Sequence, residues 1–181
     1  MAMATTAPRI YVASLSDYNA GVLHGVWIDL GNVDYVDVMD LVYQMLAESP
    51  TAKAEGVPAE EWAIHDYEGF CGMKISEHEP LEELCEIAER LEEHGEAWAA
   101  YVDNVGVQHA TIEGFEESYQ GLHESLEAYA EQYLEDTGMM GQIPAWAQCY
   151  FDMEKYARDL ELSGDIWTHE TSEGVHVFNN Y

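Results

Sequence analysis

Basic residues are nearly missing from this sequence. Its 181 residues include only 6 Lys and Arg against 36 Asp and Glu, a formal net charge of −30. From Leu91 to Glu154 there is no Lys or Arg at all. Coulomb repulsion therefore disfavours direct binding to DNA, RNA or an anionic lipid surface. Cysteine is scarce as well. Cys71, Cys85 and Cys149 form an odd set without CxxC spacing, which predicts reduced thiols serving as small buried hydrophobes rather than a disulfide framework. No segment approaches the ~20 apolar residues of a membrane span. The stretch from Met1 to Pro8 has neither the positive n-region nor the apolar run of a signal peptide, so a cytoplasmic location is expected.

The constellations that carry catalysis are also lacking. His123-Glu124 and His169-Glu170 are not followed by the second His of a zinc-protease helix, and the eight His are dispersed. Asp34, Asp37 and Asp40 lie at helical spacing without the glycine of a calcium loop. Gly21, Gly25 and Gly31 fit no dinucleotide fingerprint, there is no P-loop, and Ser14 and Ser16 have no nucleophile context. The chain therefore reads as a non-enzyme, with no metal and no cofactor.

An acidic chain is often a disordered one. Here 48% of the residues are hydrophobic, and 12 Tyr, 5 Trp and 8 Met supply a core. The acid must therefore coat a folded body. A folded polyanion implies a partner with a basic groove, and the commonest such groove normally holds nucleic acid.

The pattern predicts an α+β fold in three small domains. In the first, residues 8–70, strands are expected at 9–14, 24–30 and 62–67, turn chemistry at 16–21, and a loop at 51–60. A helix is expected over 34–48, with Tyr35, Val36, Met39, Val42, Tyr43 and Leu46 as its inward stripe and Pro50 ending it. The second segment, residues 71–112, is helical. Ser76 and Glu79 have capping-box spacing and Pro80 suits a first turn. Leu81, Leu84, Cys85, Ala88 and Leu91 make its buried stripe, and a second short helix after Gly95 turns Trp98, Tyr101 and Val102 inward. The third, residues 113–181, is again mixed α/β. Residues 115–121 are expected as an edge strand. A helix over 124–136 turns Leu126, Tyr129, Tyr133 and Leu134 inward, with Gly138 as its stop. A helix capped by Asp152 has Met153, Tyr156, Ala157 and Leu160 inward. A hairpin is expected from 165–169 and 174–178.

Acids repeat at helical spacing off the apolar stripes: Asp34, Asp37 and Asp40; Glu82, Glu86, Glu89 and Glu93; Glu124, Glu127, Glu131 and Glu135; Glu96, Asp103, Glu113, Glu116 and Glu117 join them as candidates without that periodicity. Solvated helices normally interleave Lys at i+4, because such pairs stabilise by ~0.2–0.5 kcal/mol, whereas like pairs destabilise by similar amounts. Stability alone would not select this pattern; solubility or recognition must. Between Glu77 and Asp103 stand ten acids and one Arg, about one acid per 4 Å of helical path. A dimer would carry a charge of roughly 60, the phosphates of roughly 30 base pairs. These acids are the candidate partner-binding surface.

Two stretches then carry a family likeness. PRIYVASLSDYNAGVLHGVWIDL, from Pro8 to Leu30, and SLEAYAEQYLEDTG, from Ser125 to Gly138, resemble the ArdA-type antirestriction proteins. The second leads into MMGQIPAWAQCYFD, which is similar to that family's antirestriction motif: Met139, Met140, Ile143, Pro144, Tyr150, Phe151 and Asp152 match, and Gln142 stands where an acid is usual. The resemblance implies an elongated molecule of three small domains, a homodimer joined near the motif, and mimicry of DNA. Such a dimer occupies the DNA-binding groove of type I restriction–modification enzymes, blocking cleavage and often methylation. It also implies an origin in plasmids and other mobile elements. Independently of the likeness, Met139, Met140, Ile143, Trp146, Tyr150 and Phe151 form an apolar patch suited to an interface between two polyanions. Two other readings fit the composition: an acidic protein of a halophile, and a chaperone of a basic partner such as histones.

Overall fold

A computed structural model describes residues 7–31 and 33–180. Among these residues the chain is α+β, with eight helices and two three-stranded antiparallel sheets. It divides into two compact units, one ending at Ala110 and the other beginning at Thr111.

In the first unit, β1 (Arg9–Ser14) is central, flanked by β2 (Gly25–Asp29) and β3 (Trp62–Glu68). Ile10 faces Ile28 on one side and Tyr67 on the other. Between Tyr11 and Val12 the pairing with β3 shifts, because β3 carries one extra residue, His65, between Ile64 and Asp66. Ile10, Val12, Ile28 and Ala63 are sealed within the core. Helix α2 (Tyr35–Ala47) packs on β1 and β2 and also touches α4 (Leu81–Val105). Helix α4 buries Leu81, Leu84, Cys85, Ile87, Ala88 and Leu91, the expected stripe with Ile87 added. Beyond a break at Gly95 it buries Trp98, Tyr101 and Val102. Gly95 has φ 55° and ψ −134°, so the two expected helices are continuous except at this residue.

In the second unit, β6 (Val175–Asn179) lies between β4 (Tyr119–His123) and β5 (Ile166–Glu170). The expected hairpin is β5–β6. Across it Trp167 stacks on its partner Phe178 with ring centroids 4.0 Å apart. Helices α6 (Leu126–Asp136) and α8 (Met153–Leu162) pack on each other, and Tyr129, Ile166 and Val177 form the buried centre with Leu126, Tyr133 and Leu160 at its margin. Gly138, at φ 67°, follows α6 as its left-handed stop.

Capping explains most helix starts. Side chains of Asp34, Ser49, Ser125 and Asp152 accept backbone N–H bonds at 2.9–3.2 Å from the residue three positions on. Each satisfies an orphan donor of a first turn.

Several expectations need correction. Residues 16–21 are not simply a turn: Ser14 caps a short helix, α1 (Leu15–Asn19). The loop expected at 51–60 begins as helix α3 (Pro50–Glu55), in which Pro50 takes the first position. Proline ends one helix and opens the next, since its fixed φ and missing N–H suit a helix start. Residues 115–121 are not one strand. Thr111 caps α5 (Ile112–Ser118), and the edge strand β4 starts only at Tyr119. Pro80 is the N-cap of α4 rather than its first residue, and Ser76 and Glu79 close a turn ahead of it through the Ser76 N–H and a Glu79 carboxylate oxygen at 3.3 Å. On α2 the buried face is Val38, Val42, Met45 and Leu46; Tyr35, Val36 and Tyr43, expected inward, are exposed.

Candidate functional site

The candidate acids all reach solvent. Asp34, Asp37 and Asp40 on and before α2, Glu82, Glu86, Glu89, Glu93, Glu96 and Asp103 on α4, Glu113, Glu116 and Glu117 on α5, and Glu124, Glu127, Glu131 and Glu135 at α6 are each exposed. Periodicity positions them. On α4 the buried leucines fall at 81, 84 and 91, and Glu82, Glu86, Glu89 and Glu93 occupy the complementary face. Rise alone spaces these four by ~4.5–6 Å along the axis. A duplex strand advances ~3.4 Å per phosphate, so the helix carries charge one to two phosphate steps apart.

Only 6 cationic residues are available to neutralise this surface. Arg90 lies 3.6 Å from Glu93. Arg9 and Lys53 pair instead with Glu68 and Glu48, which lie outside the set. Lys53 donates to Glu48 and holds that carboxyl below the usual range. Glu82, Glu113 and Glu127 sit in first turns, where the helix dipole favours them, but Glu135 and Asp136 occupy the last turn of α6, where it does not.

One acid is of another kind. Asp17 is fully buried. Burial raises its carboxyl, yet the hydroxyls of Ser49, Ser14 and Thr51 and the Thr51 N–H outweigh that effect and hold it well below the usual carboxylate range. It is a structural anion. Nothing in SDYN distinguishes it from a turn residue until Ser49 and Thr51 are brought beside it.

The motif region forms a short 3-10 turn (Met140–Gln142) followed by α7 (Ala145–Gln148). The Gln148 side-chain amide donates to the carbonyls of Met140 and Ile143 and ties the two together. Trp146 and Tyr150 are 75% and 81% exposed, and Met139 and Pro144 also face solvent. Met140, Ile143 and Phe151 are half-buried, Phe151 against Tyr156, and Asp152 caps α8. Two large aromatic rings almost entirely in water are unusual for a monomer's surface.

The cysteines differ from expectation in one respect. Cys85 is buried, and burial together with the carboxylates of Asp34, Glu82 and Glu86 pushes its thiol up to about 11. Cys149 is exposed, so it is not a core hydrophobe, and Cys71 is half-buried. Among the described residues no cluster of His, Cys, Asp and Glu is arranged to hold a metal ion, and no helix is long and apolar enough to cross a membrane.

Comparison with known proteins agrees with the resemblance in the sequence. No curated protein matches the chain. The family model of the antirestriction protein ArdA, however, matches residues 10–176, which include the motif segment. The chain therefore belongs to the ArdA family of antirestriction proteins.

Proposed function

We propose that this protein is an acidic mimic of DNA that acts without catalysis. Its exposed carboxylates take the place of phosphates against Lys and Arg in the DNA-binding groove of type I restriction–modification enzymes. Occupancy of that groove blocks cleavage and, where the methyltransferase core is engaged, methylation. The active form is a homodimer joined through the patch around Met139, Trp146 and Tyr150, and the host context is a mobile element in a bacterial cytoplasm.

The observation that carries this reading is the exposure of every candidate carboxylate in a chain with only 6 cationic residues. A charged surface that costs helix stability and far outnumbers the chain's own cations is matched to an external cationic surface. Such binding weakens steeply with salt, since charge screening and ion exchange dominate it.

The test is competition against a DNA duplex for a type I methyltransferase core. The protein is expected to displace the duplex, and less effectively as salt rises. Simultaneous binding of DNA and protein to the core contradicts the proposal. Folding that requires molar salt favours the halophile reading instead, and capture of histones without effect on the methyltransferase favours the chaperone.

A further inference from the structure

The wide apolar arc of α2 leaves part of itself uncovered. Tyr35, Val36 and Tyr43 are 40%, 63% and 60% exposed. Two residues of this arc, Tyr35 and Met39, line a groove of about 360 Å³ together with Trp62 at the start of β3 and Pro80, Glu82 and Glu83 at the start of α4. The groove joins apolar walls to carboxylates. Glu83 is the informative member. Its Oε2 is buried and accepts no hydrogen bond among the described residues, and an unpaired buried carboxylate oxygen is costly. Sequence periodicity gives no reason for it.

We propose that this groove is a socket for an arginine side chain of the target protein, an inference that rests on the DNA-mimic reading. Charge complementarity selects a cation, since Glu82 and Glu83 repel an anion. The aromatic and thioether walls select one with a long apolar stem and a flat head. Arginine stacks on rings such as Trp62 and Tyr35 and pairs in a fork with a carboxylate, which lysine's compact ammonium does not. The volume lies at the bottom of the ~300–1,000 Å³ of ligand pockets and suits one side chain rather than a helix. DNA offers a phosphate but no such walls. The socket therefore adds a desolvated, salt-resistant contact to a surface otherwise made of screened charges, and provides register where redundant acids provide none.

Two measurements decide. Carbon-13 methyl NMR of Met39 in the full chain follows titration with N-acetyl-arginine amide and, separately, with the uncharged isostere N-acetyl-citrulline amide. The arginine probe is expected to shift the Met39 methyl saturably and the citrulline probe not. Glu83→Gln is expected to weaken the arginine response about tenfold. Equal responses to both probes, no response to either, or an arginine response unchanged in Glu83→Gln overturns the socket. Competition for the methyltransferase core then separates the two proposals. If the wild type displaces DNA and Glu83→Gln does so equally well, the socket fails and mimicry stands. If the wild type does not displace DNA, mimicry fails, and the arginine titration still judges the socket. Glu173→Gln, on the β5–β6 turn, is the exposed control.

Discussion

Asp17 and Thr51, separated by 34 positions, are joined by a 2.9 Å hydrogen bond from the Thr51 N–H to the Asp17 carboxylate. The bond fastens α1 to the first turn of α3, which Ser49 also caps. Replacing Asp17 by Ala leaves the Thr51 N–H without its acceptor. The expected loss is about 1–2 kcal/mol, read by urea denaturation. Asp17→Asn retains one acceptor and is expected to lose less. An unchanged midpoint for Asp17→Ala shows that the buried anion holds nothing.

The same residue sets the acid limit of the fold. Its folded-state pKa lies below its unfolded value of about 3.9. The stability it contributes is therefore fully present above that value and lost as pH falls through it toward the folded value. The surface acts in the opposite sense. Protonating a net charge of −30 relieves self-repulsion, so stability is expected to rise as pH falls from 7 before Asp17 reverses the trend. Added salt raises the melting temperature for the same reason, most steeply while the Debye length shrinks from ~30 to ~8 Å. Thermal melts across pH and sodium chloride concentration check both; a melting temperature insensitive to salt contradicts the account of an unneutralised surface.

Much of the architecture was legible because two periods dominate the sequence. Strict stripes in residues 81–91 and strongly β-forming runs at 9–14 and 174–178 fixed α4, β1 and β6. On α2 the same signal misleads. Apolar residues there span about half the helix circumference, from Met45 through Val38 and Val42 to Tyr43 and Val36, and a stripe that wide does not say which half faces the sheet. Only contact with β1 and β2 selects Val38 and Met45 over Tyr35 and Tyr43. Helix α5 was missed because seven residues give barely two turns, too few to establish a period against the aromatic strand signal of Phe115 and Tyr119. The exposed acids of the candidate site were legible as the complement of buried stripes. Burial of Asp17 was not, since burial of a single carboxylate leaves no periodic trace.

Gly95 makes a test of backbone conformation alone. Its φ and ψ lie in a region that only glycine adopts readily, and a Cβ there would meet nothing within 4 Å. Gly95→Ala therefore costs conformational strain rather than a clash, about 1–3 kcal/mol. Chemical denaturation measures it. A stabilised variant indicates that α4 straightens through residue 95 and that the break is not demanded by packing of Trp98 and Tyr101.

Redundancy predicts how the acidic surface tolerates change. If carboxylates act as a summed field, Glu86→Gln removes one charge among many, and inhibition is expected to fall less than about twofold. Replacing Glu82, Glu86, Glu89 and Glu93 together strips one face of α4 and is expected to weaken competition with DNA at least tenfold, with a shallower salt dependence. A single neutralisation as damaging as the fourfold one indicates a specific contact in place of a field.

The proposed self-association rests on other residues. Trp146 and Tyr150 are exposed in the single chain, whereas Phe151 already packs on Tyr156. Two polyanions repel each other, so a dimer needs a central apolar contact that outweighs the repulsion. Large aromatics at such centres commonly contribute more than ~2 kcal/mol each, at least tenfold in the dissociation constant. Trp146→Ala and Tyr150→Ala are thus expected to shift the monomer–dimer balance toward monomer at unchanged thermal stability of the isolated chain. Phe151→Ala is expected to weaken both the dimer and the α8 packing. Raising salt is expected to strengthen the proposed dimer by screening repulsion, the opposite of its expected effect on binding a basic target. Sedimentation velocity at two salt concentrations reads all of this. An unaltered dimer in both Trp146→Ala and Tyr150→Ala assigns the joint to another surface.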